Sequence, residues 1–287
     1  MKRWSPSVTR RDFLRTSAVG IAAIGASRAA PILSAQVQAT LSLGVMAAGG
    51  DASGGVALGI REAQHAATLF NRKLVVVPVA LGRDITLAQV LVFTGNAADA
   101  SDVAAECTRQ KVLFLNAVSS DDRLRRHDCT SFVFHVAASD SMRRAAAEAA
   151  AKPDGAFTVE MWHPSLRRFG AAQLNDRFRA TGSGMTSGAW AGWMAVKIAW
   201  ESFLRAPDGS AVAMASHLDR DTTHFDGHKG VPLSFRRWDH QLRQPLYVVT
   251  GDGESTIEIP SLSGSDIPMR ELLDKIGDRQ GDAACNR

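Results

Sequence analysis

Three cysteines in 287 residues, with no C-x-x-C among them, exclude a disulfide-framework scaffold and a thioredoxin-type redox motif. G-x-S-x-G, H-E-x-x-H and G-x-G-x-x-G are missing, as is the lysine of a phosphate-binding P-loop. Those absences remove the hydrolase, zinc-peptidase and dinucleotide sites that carry local signatures. Internal repeats and low-complexity tracts are lacking too, and only Ala145 to Ala151 is biased toward small residues. Beyond the N-terminal segment, no stretch is apolar for long enough to span a bilayer.

What is present begins with an address. Thr9-Arg10-Arg11-Asp12-Phe13-Leu14-Arg15 precedes a short apolar segment, Thr16 to Ala26, which is the layout of a twin-arginine export signal. Val37-Gln38-Ala39 is an acceptable cleavage site, so the signal peptide is expected to cover residues 1–39 and the mature chain to start near Thr40 in the periplasm. No cysteine sits at the junction, so no lipid anchor is expected. Residues 1–39 hold six Lys or Arg and one acid; the 27 basic and 28 acidic residues that remain leave a charge near −1 in place of +4. The basic balance belongs to the signal and makes no case for a nucleic-acid partner.

The mature part is long enough for one large domain or two small lobes. In an oxidising compartment two of the three cysteines can pair. Cys129 with Cys285 is the preferred pair, tying the C-terminal tail to the body, and closing so long a loop is worth roughly 4 to 5 kcal/mol in the chain-entropy model. Cys107 lies in an amphipathic helical pattern and reads as a core thiol.

The chain is organised around Leu41 to Ile60, where an apolar run to Ala47 is followed by Gly49, Gly50, Gly54 and Gly55 and then a helical pattern to about Phe70. This reads as strand, glycine turn and helix, with Ser53 the expected cap. Further strands are expected at Lys73 to Leu81, with Pro78 arguing for a sheet edge, and at Gln89 to Phe93, Val112 to Leu115 and Ser131 to Val136, with a helix at Asp99 to Gln110. Alternating elements of this kind favour an α/β fold with an open parallel sheet and flanking helices. Gly82 to Ala88 is short for a crossover helix. Thr94-Gly95-Asn96 and Asn116-Ala117-Val118-Ser119-Ser120-Asp121-Asp122 would then share one sheet edge with the glycine turn and line a cleft suited to a small polar or anionic ligand, although ordinary turns use the same residue types.

Residues 40–152 are thus expected to form an α/β core, and 153–287 helical and β segments that return to it. Helices are expected at Ser139 to Lys152, with Ser139 as cap, near Leu166 to Thr181, at Thr186 to Arg205 and at Ser210 to Leu218, then strands at Pro232 to Arg236, Pro245 to Thr250 and Thr256 to Pro260, and a helix near Arg270 to Ile276. Trp193, Val196, Trp200 and Phe203 fall on one helical face and read as core. His224, Asp226 and His228 could bind a metal but sit in a glycine-containing loop, and Pro164 interrupts the helix that would join Glu160 to His163. No metal and no cofactor is expected, and no enzyme activity.

The run from Phe225-Asp226-Gly227-His228-Lys229-Gly230 through Phe235-Arg236-Arg237-Trp238-Asp239-His240-Gln241-Leu242-Arg243-Gln244-Pro245-Leu246 resembles the substrate-binding proteins of ABC transporters associated with quinoprotein (PQQ-dependent) alcohol dehydrogenase systems. These are a branch of the branched-chain amino-acid-binding, type I periplasmic binding proteins. Asn116-Ala117, Asp121-Asp122-Arg123-Leu124-Arg125, Phe134-His135-Val136, Trp162-His163-Pro164 and Leu273 to Arg279 extend the likeness. The resemblance implies a periplasmic solute-binding component that docks on an inner-membrane ABC permease, with a quinoprotein dehydrogenase as a further partner. Its ligand contacts would be Thr94, Gly95, Asn96, Asn116, Ala117, Ser119 and Ser120. About a dozen residues stand where the family places a second lobe, which is therefore expected to be absent or vestigial. The alternatives are a non-transport interaction or sensory module that kept the fold, and a metal-dependent enzyme.

Overall fold

Five strands pair side by side and in parallel, and three of them are covered on both faces along their whole length. In the computed structural model, residues 39–282 and 285 are described, except 48, 151–154, 252–255 and 262–265; the segment expected to be an export signal lies outside them. β1 (Thr40–Ala47) is followed by α1 (Asp51–Leu69), β2 (Lys73–Pro78), β3 (Val90–Thr94), α2 (Ala100–Gln110), β4 (Leu113–Asn116), the short α3 (Arg123–Arg126) and β5 (Val133–His135). The sheet order is β2-β1-β3-β4-β5, with every pair parallel. β3, β4 and β5 are buried at every residue, as strands covered on both faces must be. β2 is half-exposed and ends at Pro78 on the sheet edge, where a missing N–H costs no ladder bond.

Two expectations at the first turn are corrected. The helix starts at Asp51, so Gly49 and Gly50, at φ 87° and 79°, make the turn alone, and Gly54 and Gly55 lie inside α1. Ser53 does not cap it: the cap position is Gly50, without a side-chain hydrogen bond, and Ser53 Oγ is buried without a partner. Gly55 has a packing role instead. A Cβ there would stand 1.7 Å from the Ala189 carbonyl oxygen, and one on Gly192 2.3 Å from that of Ala52. Small residues let α1 and the long helix Ser187–Arg205 touch backbone to backbone. The β2–β3 connection contains one 3-10 turn, Ile85–Leu87, in place of a crossover helix. Gln89 secures it by accepting from Ser42 N at 2.8 Å and donating to Gly209 O at 3.0 Å.

The rest of the chain folds back on this sheet. α4 (Asp140–Ala149) is capped by Ser139, whose Oγ accepts from Met142 N, and the expected end of that helix at Lys152 lies outside the described residues. β6 (Phe157–Glu160) comes next, then α5 (Ala171–Arg179), which starts five residues later than expected because the chain turns at Phe169 and Gly170, both at positive φ. α6 (Ser187–Arg205), capped by Thr186, buries Trp190 as well as the expected Trp193, Val196, Trp200 and Phe203. α7 (Ala211–Leu218) precedes β7 (Phe225–Asp226), β8 (Pro232–Phe235), β9 (Leu242–Arg243), β10 (Leu246–Thr250), β11 (Thr256–Ile259) and α8 (Met269–Asp274). These strands form two small antiparallel sheets, β7-β8-β9 and β11-β10-β6. Cys129 and Cys285 form a disulfide with Cα atoms 4.7 Å apart, and Cys107 is a buried free thiol that burial pushes up to about 12. Among the described residues no helix is long and apolar enough to cross a membrane.

Candidate ligand-binding rim

Because β1, β3, β4 and β5 run in parallel, their carboxyl ends lie at one edge of the sheet, where helix N-termini and loop polar groups collect. The structure brings Thr94, Gly95 and Asn96 after β3, and Asn116, Ala117, Ser119 and Ser120 after β4, to that edge together with the Gly49–Gly50 turn.

They are presented very differently. Asn116 is fully buried and commits its whole amide: Nδ2 donates to Ser119 O at 2.7 Å and to His135 Nδ1 at 3.2 Å, while Oδ1 accepts from Val118 N and Ser119 N. Its role in the fold is to hold the loop's shape. Thr94, buried, donates to Met46 O, and Ala117 is buried with its N–H on Phe93 O. Ser119 is buried as well, and its carbonyl receives the Arg125 guanidinium. Asn96 is exposed and caps the turn that follows by accepting from Ala98 N, and Ser120 is half-buried, with its carbonyl accepting from Asp140 N. Asn96 and Ser120 are thus the sequence-named side chains closest to solvent.

Behind the rim lies a layer that sequence reasoning did not assign to any role. Arg125, only 1% exposed, donates through Nε to Gln241 Oε1 at 2.8 Å and through its Nη atoms to Ser119 O, Asp121 O and Ala137 O. Burial lowers its pKa to about 10, so it remains a cation at neutral pH. Gln241 in turn donates to His135 O and Ala137 O and forms a parallel bridge with His135, lengthening the sheet past β5. Burial and the neighbouring Arg125 charge hold His135 well below its usual pKa and therefore neutral. Gln244 donates to Val136 O and accepts from the buried Lys229 Nζ at 2.8 Å. The signal was available in the Asp121 to Arg125 and Phe225 to Leu246 blocks, but pattern alone does not show that the two meet.

Two clefts bear on where a ligand could sit. One of about 270 Å³ flanks the first turn and is lined by Gly50, Asp51, Arg61, Phe178, Ser183 and Thr186. A larger one of about 480 Å³ lies over Arg168, Phe169, His228, Tyr247, Glu258 and Met269. Neither is lined by the seven sequence-named residues. His224 and Asp226 are exposed; Asp226 accepts from the His228 N–H, and the His228 ring stacks on Trp193. Glu160 accepts from Ser187 Oγ, while His163 pairs with Ser165.

No family model matches this chain, and no curated protein matches it. Solved structures do. The branched-chain amino acid transporter substrate-binding protein LivJ of Streptococcus pneumoniae, in complex with isoleucine, is 11% identical, with 77% of this chain and 99% of that one covered at a TM-score of 0.59. A solute-binding protein of an ABC transporter from Rhodopseudomonas palustris in complex with benzoate is 13% identical, with 77% and 95% covered at 0.60. A periplasmic binding protein of Burkholderia mallei is 11% identical, with 86% and 98% covered at 0.63. At such identities the likeness establishes the fold: a parallel α/β sheet with flanking helices and small antiparallel sheets, as in periplasmic binding proteins.

Proposed function

We propose that this chain is the solute-binding component of an ABC transporter, not an enzyme, and that it takes a small polar or anionic ligand at the carboxyl edge of its parallel sheet. The observation that carries the reading is the β2-β1-β3-β4-β5 parallel sheet, in a chain whose overall fold is similar to that of transporter binding proteins. In two of those proteins the bound molecule is isoleucine or benzoate, both small carboxylates. On this reading the twin-arginine signal delivers the chain to the periplasm, its partner is an inner-membrane permease, and the likeness of the Phe225 to Leu246 block ties it to quinoprotein alcohol metabolism. Asn96, Ser120 and the free N–H groups of the first turn are the contacts offered to a ligand, with Thr94, Gly95, Asn116, Ala117 and Ser119 shaping the loops around it.

A reduced second lobe belongs to the same proposal. Between Ala149 and Trp162 the described chain contributes a single four-residue strand, β6, which pairs with β10. A binding rim without a full opposing lobe leaves ligand surface in water and lowers affinity. The test is a thermal-shift and calorimetric screen of the chain from Thr40 against isoleucine, benzoate, small alcohols and their acids, and quinones. A ligand at a hundred times its Kd stabilises by about 2.7 kcal/mol, a rise of roughly 5 to 10 °C for a domain of this size. A folded protein that shifts with none of them removes the solute-binding reading. The inward commitment of Asn116, Thr94 and Ser119 favours one alternative, an interaction module that kept the fold. Co-purification with a permease or a dehydrogenase, without any small-molecule shift, is what that alternative requires.

A further inference from the structure

Cys129, Cys285 and His240 stand together at the point where the C-terminal tail meets β5. One ligand atom from each lies within 4.8 Å of the others, and all three residues are buried. We infer that, whenever the two cysteines are thiols, these three residues bind one borderline-soft divalent ion, with Zn²⁺ the best fit, and that disulfide formation and metal occupancy exclude each other.

The donor set comes first. Two thiolates and an imidazole suit Zn²⁺, whose tetrahedral bonds of about 2.3 Å to sulfur and about 2.0 Å to nitrogen set neighbouring ligand atoms roughly 3.5 Å apart. Moving from the observed cluster to that spacing is a matter of side-chain rotation once the sulfurs separate. Orientation of the histidine is the second, independent observation. His240 Nδ1 faces two carbonyl oxygens, Thr130 O at 3.1 Å and Val133 O at 3.0 Å. Carbonyls only accept, so Nδ1 carries a proton and Nε2 is the nitrogen left to a metal, the arrangement that backbone carbonyls impose on metal-bound histidines. The ring is further held by stacking on Phe134, 4.3 Å between centroids at 9°. The three residues leave one tetrahedral position to water, since Asp219, whose Oδ1 lies 3.7 Å from His240 Nε2 and 3.5 Å from Arg237 Nε, stands outside the cluster.

The chemistry balances. Two thiols give up two protons to the solvent as Zn²⁺ binds. When a small-molecule disulfide oxidises the site, its S–S bond breaks and the Cys129–Cys285 bond forms; two electrons pass to the oxidant, which leaves as two thiolates, and Zn²⁺ departs. The tail would thus be pinned by metal before oxidation and by sulfur afterwards. Cys107 is buried in the hydrophobic cluster between the sheet and α2 and is not one of the three clustered residues.

The test uses full-chain protein reduced with a phosphine, freed of it, and titrated anaerobically with Co²⁺ as a spectroscopic stand-in for Zn²⁺. The expected result is one Co²⁺ per chain, with thiolate-to-cobalt charge-transfer absorption and tetrahedral d–d bands that Zn²⁺ abolishes, and no uptake by the disulfide form. His240→Gln, which leaves both sulfurs free to pair and whose fold is verified by its oxidised thiol count, should weaken Co²⁺ binding at least tenfold. Cys129→Ser with Cys285→Ser should lose the charge-transfer band. Failure of the reduced chain to take up Co²⁺, whether folded or not, overturns the inference. So does equal binding by the oxidised protein, or an unchanged affinity and spectrum in His240→Gln.

Discussion

The core of the parallel sheet and the polar side chains between Lys229 and Gln244 are buried by opposite means. Val90, Leu91, Val92, Leu113 and Leu115 are wholly buried apolar residues in strands whose backbone groups are paired in the ladder. The second region buries Lys229, Arg236, Asp239, Arg243 and Gln244, each 1% exposed or less, and is joined to the sheet through Arg125 and Gln241. Burial pushes the Asp239 carboxyl up even though the Arg236 guanidinium stands 3.2 Å away. An apolar layer tolerates exchange of one hydrocarbon for another of equal volume, whereas a buried polar layer loses a set of matched partners when one member goes. Of the two, the polar layer shapes the rim, since Arg125 holds the Ser119 and Asp121 carbonyls.

That contrast can be broken most sharply at Arg125. Arg125→Ala removes the donor to Gln241 Oε1 and Asp121 O and one of the donors to Ser119 O and Ala137 O, and should cost about 3 to 5 kcal/mol in urea unfolding. A loss no larger than that of a conservative sheet substitution would show that the polar layer is not special. Gly55→Val ranks next. Its side chain meets the Ala189 carbonyl, and forcing α1 from α6 should cost roughly 3 kcal/mol; a neutral result would mean that the close helix approach is not maintained in solution. Leu115→Met, an equal-volume change in the apolar layer, should cost less than about 1.5 kcal/mol by the same measurement.

The smallest effect at neutral pH is a slope. Burial holds Lys229 well below its ordinary 10.5, although the Trp190 face 3.9 Å from Nζ offsets part of that cost. Between the folded pKa and 10.5 the unfolded chain binds a proton that the folded chain lacks, so this group makes stability rise with pH across that window. Lys229→Met should flatten the rise. Identical slopes in the two proteins would mean that the lysine titrates as it does in water.

The apolar layer was legible in the sequence to within three residues at each strand end, because a buried strand needs a run of hydrocarbon and little else. Pro78 placed β2 at the edge, and Ser139 capped its helix as its position implied. The rim was legible only as loops. Nothing in Asn116-Ala117-Val118-Ser119 shows that the asparagine faces inward, because its partner His135 lies nineteen residues on. Gly54 and Gly55 were read as part of a turn because glycine before a helical pattern has two uses, and the helix that requires its smallness is more than a hundred residues away.

From the sequence alone came the alternation of strands and helices and the polar character of the loops at the sheet's edge. These depend on local period, spacing and composition. Only the tertiary structure decided which loop atoms are committed inward, that Arg125 meets Gln241, and that His240 stands beside the two cysteines. Each of those is a meeting of groups distant along the chain, and no local pattern encodes such a meeting.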